Sequence, residues 1–366
     1  MQTKTVLMIT PFASPNIGGA EAHVDKLRSY LIGRGWQVIL ATYQPLTTPV
    51  KAPAFEAGDG FITYRMPWFG RKGWFNTLER WPFPFVFAYL FPGLLWISLR
   101  AAWENCPRIR TVHAHGLAAA VVARILKAFF GFRIVASTHA IYGLDKRPVL
   151  ARILKWLFRG FDFVLTVGEP ALNELVRAGV EPERIGTHAN WVDLRIFVPL
   201  WESGRYAGYE RRALFVGRLI PKKGVGELVE AARQLTNWTF SIVGAGPLLW
   251  LDHLPNVIWV GRARQAELIE AYKKSVATIL PSQYDEGFSA VVCESLACGT
   301  PVMVPRRGVL SHILDQSVAT FIEPTTEGIV KALREWKPKN REQCRAFAEQ
   351  HFSNRNAEKI ERALLG

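Results

Sequence analysis

Cysteine is scarce in this chain. The four present, Cys106, Cys293, Cys298 and Cys344, form no CxxC pair and have no histidine near them at metal-ligand spacing. Such scattered thiols support neither a disulfide scaffold nor a zinc site, and they suit a reducing cytoplasm. Acidic residues are in deficit as well, 31 against 45 lysines and arginines, which leaves a formal charge of +14. A surplus of that size draws an anionic partner: nucleic acid, a nucleotide diphosphate or an acidic membrane face. There is no recognition helix, RNP-like strand or basic-aromatic repeat, and the basic residues are spread rather than gathered into an arm, so nucleic acid is not expected and an anionic membrane surface is. The N-terminus, MQTKTVLMITPF, lacks the longer apolar core and cleavage site of a secretory signal and reads as a first β-strand.

What is present is globular. Hydrophobic residues make up 49% of 366, enough for two domains with proper cores. Strand-like runs alternate with helical patterns: a strand over 5–10, a helix over 19–34, a strand over 37–42, then 110–114, 117–130, 133–137, 149–158, 163–167 and 169–178. Alternation of this kind predicts βαβ units and a parallel sheet. RIFVPLWESGRYAGYE, within 194–211, has neither period and carries Pro and Gly, so the interdomain linker is expected there. The alternation restarts with 213–216, 225–235, 240–243, 257–260, 265–274, 277–280, 290–298 and 301–304. The expectation is an α/β fold with an acceptor-side domain over 1–195, a donor-binding domain over 211–340, and C-terminal helices over 341–366 that pack back toward the first domain.

One aromatic-rich stretch, 66–103, stands apart. Its apolar core, Phe83 to Leu99, is at the lower limit for a membrane span and is interrupted by Pro84 and Pro92, which argues for a buried helix instead. Before it, Trp68, Trp74, Phe75 and Trp81 with Arg71, Lys72 and Arg80 either belong to the first core or sit at the headgroup level of a membrane.

PSQYDEGFSAVVCESLACGTPVMVP, 281–305, carries the most chemistry. A strand turns through Gly287 into a helix that begins near Phe288, Ser289 and Ala290. The exposed N–H groups and dipole of such a start hold phosphate oxygens. Glu286 lies at the loop tip and Glu294 about two turns inside, so one carboxylate can meet a sugar while the other accepts ribose hydroxyls. Elsewhere, IVGAGP at 242–247 lacks the third glycine of a dinucleotide fingerprint. Gly18 and Gly19 at a strand-to-helix turn leave room for backbone to approach a ligand.

The spacing of Glu286 and Glu294 in EGFSAVVCE, followed by SLACGTPV, is similar to the signature of glycosyltransferase family 4, whose members have the GT-B fold. FVGRLIPKKGVGELVEAARQL resembles the same family's donor-domain entry, PFASPNIGGAEAHVDKL its first loop and helix, and NWVDLRIFVP its interdomain segment. HAHG at 113–116 and STHAIYG at 137–143 resemble two segments at strand ends. The resemblance implies two Rossmann-like domains facing across a cleft. It implies retaining transfer of a hexose from a UDP- or GDP-sugar to a glycan or lipid-linked acceptor, in cell-surface polysaccharide or lipopolysaccharide synthesis.

By that resemblance Arg218 and Lys223 bind the donor diphosphate with Gly287, Phe288 and Ser289, and Glu294 the ribose. Glu286 and His139 meet the sugar as catalytic groups, Gly244 lies at the base, and Gly18 and Gly19 approach the donor. His115 is a cleft candidate and His113 a structural residue. A guanidinium and an ammonium can stabilise a departing diphosphate unaided, so no metal and no cofactor is expected. The protein is expected in the cytoplasm, peripheral on the inner membrane face. Ser289 and Trp191 stand where the family has glycine, and RRGVLSHIL, 306–314, lacks its Gly-Gly and Glu. The alternatives are a nucleotide-sugar epimerase on the same fold and an inactive donor-binding scaffold, and the intact Glu286, Glu294, Arg218 and Lys223 argue against the scaffold.

Overall fold

KTVLMI becomes the centre of a sheet. In the computed structural model, which describes residues 4–16, 18–48, 50–68, 81–139, 142–199, 211–246, 254–284 and 289–366, β1 (Lys4–Ile9) lies between β2 (Trp36–Tyr43) and β5 (Thr111–His115) and is parallel to both. Its residues Val6 to Ile9 have no exposed surface, as expected of a parallel strand covered on both faces. The sheet continues through β6 (Arg133–Ser137), β7 (Phe163–Val167) and β8 (Ile185–His188) on one side, and through β4 (Phe61–Met66) to β3 (Phe55–Gly58) on the other. Only the β3–β4 pair among these is antiparallel. The helices are α1 (Gly19–Gly33), α2 (Phe83–Asn105), α3 (Leu117–Phe130), α4 (Pro148–Phe158) and α5 (Gly168–Arg177).

Helix α2 runs unbroken through Pro92, contrary to the interruption read from its prolines. Pro84 falls in the first turn, where a missing N–H costs nothing. Packing holds the rest: Leu90, Leu94, Ile97 and Ala101 are buried in the core. At Gly93 a Cβ would strike the rings of Trp68 and Tyr43. By length and apolarity α2 is, among the described residues, the one helix able to cross a membrane; less than half of its apolar stretch is buried in protein, and Phe85, Trp96 and Trp103 are exposed. Trp68 packs on Tyr43 and Tyr89 and so belongs to the core, whereas Trp81 is exposed; Arg71, Lys72, Trp74, Phe75 and Arg80 lie outside the described residues.

A second sheet is wholly parallel: β9 (Arg212–Val216), β10 (Thr239–Val243), β11 (Val257–Gly261), β12 (Ala277–Ile279), β13 (Val302–Pro305) and β14 (Ala319–Ile322), in the order β11-β10-β9-β12-β13-β14. Around it lie α6 (Val225–Gln234), α7 (Gln265–Lys273), α8 (Ala290–Ala297), α9 (Leu310–Ile313), α10 (Thr326–Arg334) and α11 (Arg341–His351).

The chain divides into two compact units, 1–188 with 357–366, and 189–356. The division differs from the expected boundaries in two places. Val192, just before the aperiodic stretch, and Phe197, inside it, are core residues of the second unit. Helix α11 belongs there too, because Cys344, Phe347 and Ala348 pack with Val292, Cys293 and Leu296. Arg345 reinforces it by donating to the carbonyls of Leu194, Phe197 and Ala297. Only α12 (Arg355–Leu365), from residue 357, counts with the first unit.

Its anchor is Glu361, a buried carboxylate that accepts hydrogen bonds from Trp36 Nε1 at 2.9 Å, Tyr30 Oη at 3.2 Å and Arg34 Nε at 3.3 Å. Burial pushes this carboxyl up, but the three donors outweigh it and hold it below its usual range. A depressed carboxyl stabilises the fold above its ordinary pKa, and that contribution fades as pH falls through the folded value. Glu361→Ala is therefore expected to lower the unfolding free energy by about 1–3 kcal/mol at pH 7. In urea melts across pH 7 to 3, its deficit against the unmodified chain should shrink toward the acid end.

Candidate functional site

In the second unit β9 lies between β10 and β12, so the strand order reverses there. Open α/β sheets bind ligands outside the carboxyl ends of strands at such a switch point. Arg218 follows β9 by two residues and is exposed. Its loop is fixed by Gly217 N–H donating to the Val243 carbonyl and Leu219 N–H to that of Ala245, both at 3.0 Å. Lys223 ends a 3-10 turn, Pro221–Lys223, just before α6, and its Nζ stands 5.3 Å from the centre of the Tyr284 ring.

Three glycines let these loops meet backbone to backbone. A Cβ on Gly244 would fall on the Gly217 carbonyl oxygen, and one on Gly246 on that of Leu219. Gly224 has φ +71°, and its Cβ would fall on the Pro281 carbonyl. The Gly244 N–H donates to the Gly261 carbonyl at 2.7 Å and its own carbonyl accepts from Trp259 Nε1 at 3.2 Å, so its backbone is engaged within the sheet edge.

Glu286, Gly287 and Phe288 lie outside the described residues. Ser289 follows them as the residue that opens α8; its side chain caps no N–H, and its carbonyl accepts from Cys293 N–H at 3.4 Å. Glu294 is half-buried, and its Oε2 accepts a 3.1 Å hydrogen bond from the Tyr272 hydroxyl. Burial first, and Glu294 second, drive that hydroxyl far above its ordinary pKa, so Tyr272 remains a donor and fixes the carboxylate.

In the first unit the switch lies between β1 and β5. Gly18 precedes α1, where a Cβ would meet the Glu21 carboxylate, while Gly19 is exposed with open space where its Cβ would point. His139 follows β6 and is not alone. Its Nε2 stands 3.3 Å from His115 Nδ1, with the two rings stacked at an interplanar angle of 7°. His23 on α1 and His188 at the end of β8 crowd the same ring, at centroid distances of 5.0 and 5.7 Å. His113 is fully buried and holds Ser137 Oγ at 2.8 Å through Nε2. Burial, then the neighbouring His23, lowers its pKa to about 3. Burial likewise holds His115, His139 and His188 well below the usual imidazole value. The loop after His139 is anchored by the buried Glu174, which accepts from Tyr142 N–H and Leu144 N–H at 2.8 Å each. His23, His188 and Glu174 gave no signal in the sequence, since each sits singly in its own element.

Residues 17–196 match the family model described as Glycosyltransferase Family 4, and residues 204–352 match Glycosyl transferases group 1. The chain belongs to glycosyltransferase family 4. A curated relative, a phosphatidylinositol N-acetylglucosaminyltransferase subunit from Arabidopsis thaliana, is 24% identical over 345 residues, covering 90% of this chain and 73% of the relative. Among solved structures, this glycosyltransferase superposes on a sucrose-phosphate synthase of Thermosynechococcus elongatus with TM-score 0.76, 19% identity and 98% of each chain covered. It also superposes on Anabaena Alr3699/HepE in complex with UDP and glucose with TM-score 0.73, 16% identity and both chains fully covered. These likenesses fix the architecture of this family 4 member as GT-B, with a Rossmann-like sheet in each unit.

Two substitutions test the scaffold of the family 4 site. Gly224→Ala places a Cβ against backbone in a left-handed conformation, and a cost of about 1–2 kcal/mol or more is expected. Glu174→Ala leaves the buried Leu144 N–H without its acceptor, at about 1–3 kcal/mol, and the part-buried Tyr142 N–H as well, at less. Chemical denaturation of each variant reads both, and unchanged midpoints would contradict the packing described.

Proposed function

We propose that this glycosyltransferase moves a hexose, with retention at the anomeric carbon, from a UDP- or GDP-sugar to a glycan or lipid-linked acceptor in the synthesis of cell-surface polysaccharide or lipopolysaccharide. The observation that carries the proposal is the placing of Arg218, Lys223 and the start of α8 at the carboxyl ends of β9 and β12, the switch point of the second sheet. In this reading Arg218 and Lys223 take the diphosphate with the amides of Gly287, Phe288 and Ser289, Glu294 takes the ribose hydroxyls, and Gly244 lies at the base. Glu286 and His139 meet the transferred sugar, and Gly18 and Gly19 give the donor room. Charge builds on the diphosphate as the sugar leaves, and a guanidinium with an ammonium offsets it, so the transfer requires neither metal nor cofactor. The HepE complex contains UDP and glucose, and the Arabidopsis relative is named for action on phosphatidylinositol; both support a UDP-hexose donor and a lipid-linked acceptor.

A lipid-linked acceptor asks for a surface that reaches the headgroups. On α4, Val149, Ile153 and Trp156 are exposed by 67%, 52% and 61%, at spacings that put them on one face. From Lys146 to Arg159 there are five basic residues and no acidic one. Arg124 adds a sixth cation, 4.4 Å above the Trp156 ring. An apolar stripe edged by cations is the pattern of a helix that lies in an anionic interface. We therefore assign α4, rather than Trp68, to the membrane contact of a protein peripheral on the cytoplasmic face.

Lys223→Ala is expected to fold with an unchanged melting temperature and to lose at least about 100-fold in transfer, the scale seen when one charge-stabilising group is removed. Thermal-shift screening of UDP- and GDP-sugars, followed by assay of the best donor with and without chelator, checks the donor class; near-normal turnover of the variant would refute the assignment. Ile153→Ser combined with Trp156→Ser should abolish co-sedimentation with anionic vesicles while leaving transfer to a soluble acceptor intact.

A further inference from the structure

Five of the eight histidines in the chain meet in the first unit, although they come from α1, β5, the turn after β6 and the end of β8. Ring nitrogens of His23, His115 and His139, one from each, all lie within 4.8 Å of one another. The 3.3 Å between His115 Nδ1 and His139 Nε2 is informative. Two nitrogens bound to one tetrahedral zinc at about 2.0–2.1 Å stand about 3.4 Å apart; here the pair reaches that distance as a head-on hydrogen bond between rings, so an ion replaces the shared proton and the rings turn to converge on it.

The chemistry of the set is uniform. Apart from burial, the groups that act on the rings of His115, His139 and His188 are other histidines and the Thr138 backbone. Neutral imidazole is the form that ligates, and burial keeps these rings neutral well below pH 7. Donors that are all nitrogen suit zinc, copper, nickel or cobalt and offer little to magnesium or calcium, which require oxygen.

The scaffold is firm as well. His115 belongs to a buried strand, His113 beside it is tied to Ser137, and Glu174 pins the loop that follows His139. His139 is only half-buried, which gives an ion a way in.

We propose that His23, His115 and His139 form a binding site for one zinc-class transition-metal ion, with His188 flanking it. Because His139 is also placed at the transferred sugar above, a bound ion competes with that role; its binding is read without donor or acceptor, so failure of this site and failure of the transfer reading are distinguishable. The consequence for the protein is linkage: an ion held only by the folded state raises its stability by mass action.

The test uses the full chain, stripped with chelator and titrated with Zn2+ against a chromophoric indicator. One ion per chain is expected to compete with the indicator. His23→Gln and His115→Gln should each weaken it by at least about 100-fold, the upper range known even for outer-shell partners of a ligand. His312→Gln and His351→Gln, in the second unit, should leave it unchanged. X-ray absorption on the zinc-loaded unmodified protein, which needs no variant to fold, should show imidazole nitrogens at about 2.0–2.1 Å. Failure to bind one equivalent, binding indifferent to His23→Gln and His115→Gln, or a shell containing sulfur or only oxygen would overturn the site.

Discussion

A parallel strand is available for chemistry only at its ends, because helices cover both of its faces. That constraint organises both units of this chain. Val6 to Ile9 in one sheet and Ala213 to Phe215 in the other are sealed from solvent, and the polar groups with chemical capacity gather just beyond the carboxyl termini of such strands. In the second unit Arg218 and Lys223 leave the ends of β9 and the turn before α6. In the first, His115 ends β5 and His139 follows β6.

The two units meet the constraint by different means. The second uses backbone: Gly224, Gly244 and Gly246 bring loops together at distances no side chain would permit. Loops so fixed present their cations without a reorganisation cost, which is what stabilising a developing charge requires. Tyr272, buried and undissociated, does the same for Glu294. The first unit uses packed imidazoles, whose burial keeps them uncharged and therefore able to share a proton or an ion. A protonated cluster would set like charges within about 6 Å in a poorly screened interior, which is why the neutral state prevails.

Most of the secondary structure was legible from periodicity. The central strands KTVLMI and TVHAH and the helix LAAAVVARILKAFF stand where their patterns place them, to within a residue. Periodicity missed β3, β8 and β14, which have four residues each, too few for a pattern to emerge, and it also missed the six-residue interior strand β4 and the helix α10. Proline misled in α2, where tertiary packing of Leu90, Leu94 and Ile97 outweighs the loss of one backbone hydrogen bond at Pro92. The expected boundary at 195 misled too, since Val192 before it and Phe197 after it dock as single side chains of the second unit and a lone anchor has no period.

The order of residues alone determined the α/β class, the family, and the candidates Arg218, Lys223, Glu294 and His139, because motif spacing and local periodicity are properties of neighbours along the chain. Tertiary structure alone decided which unit owns α11, that Trp68 is core while Trp156 faces outward, and that five histidines scattered from 23 to 188 share one pocket of space. Those outcomes depend on contacts between residues far apart in sequence, and no local pattern encodes a distance that only the folded sheet creates.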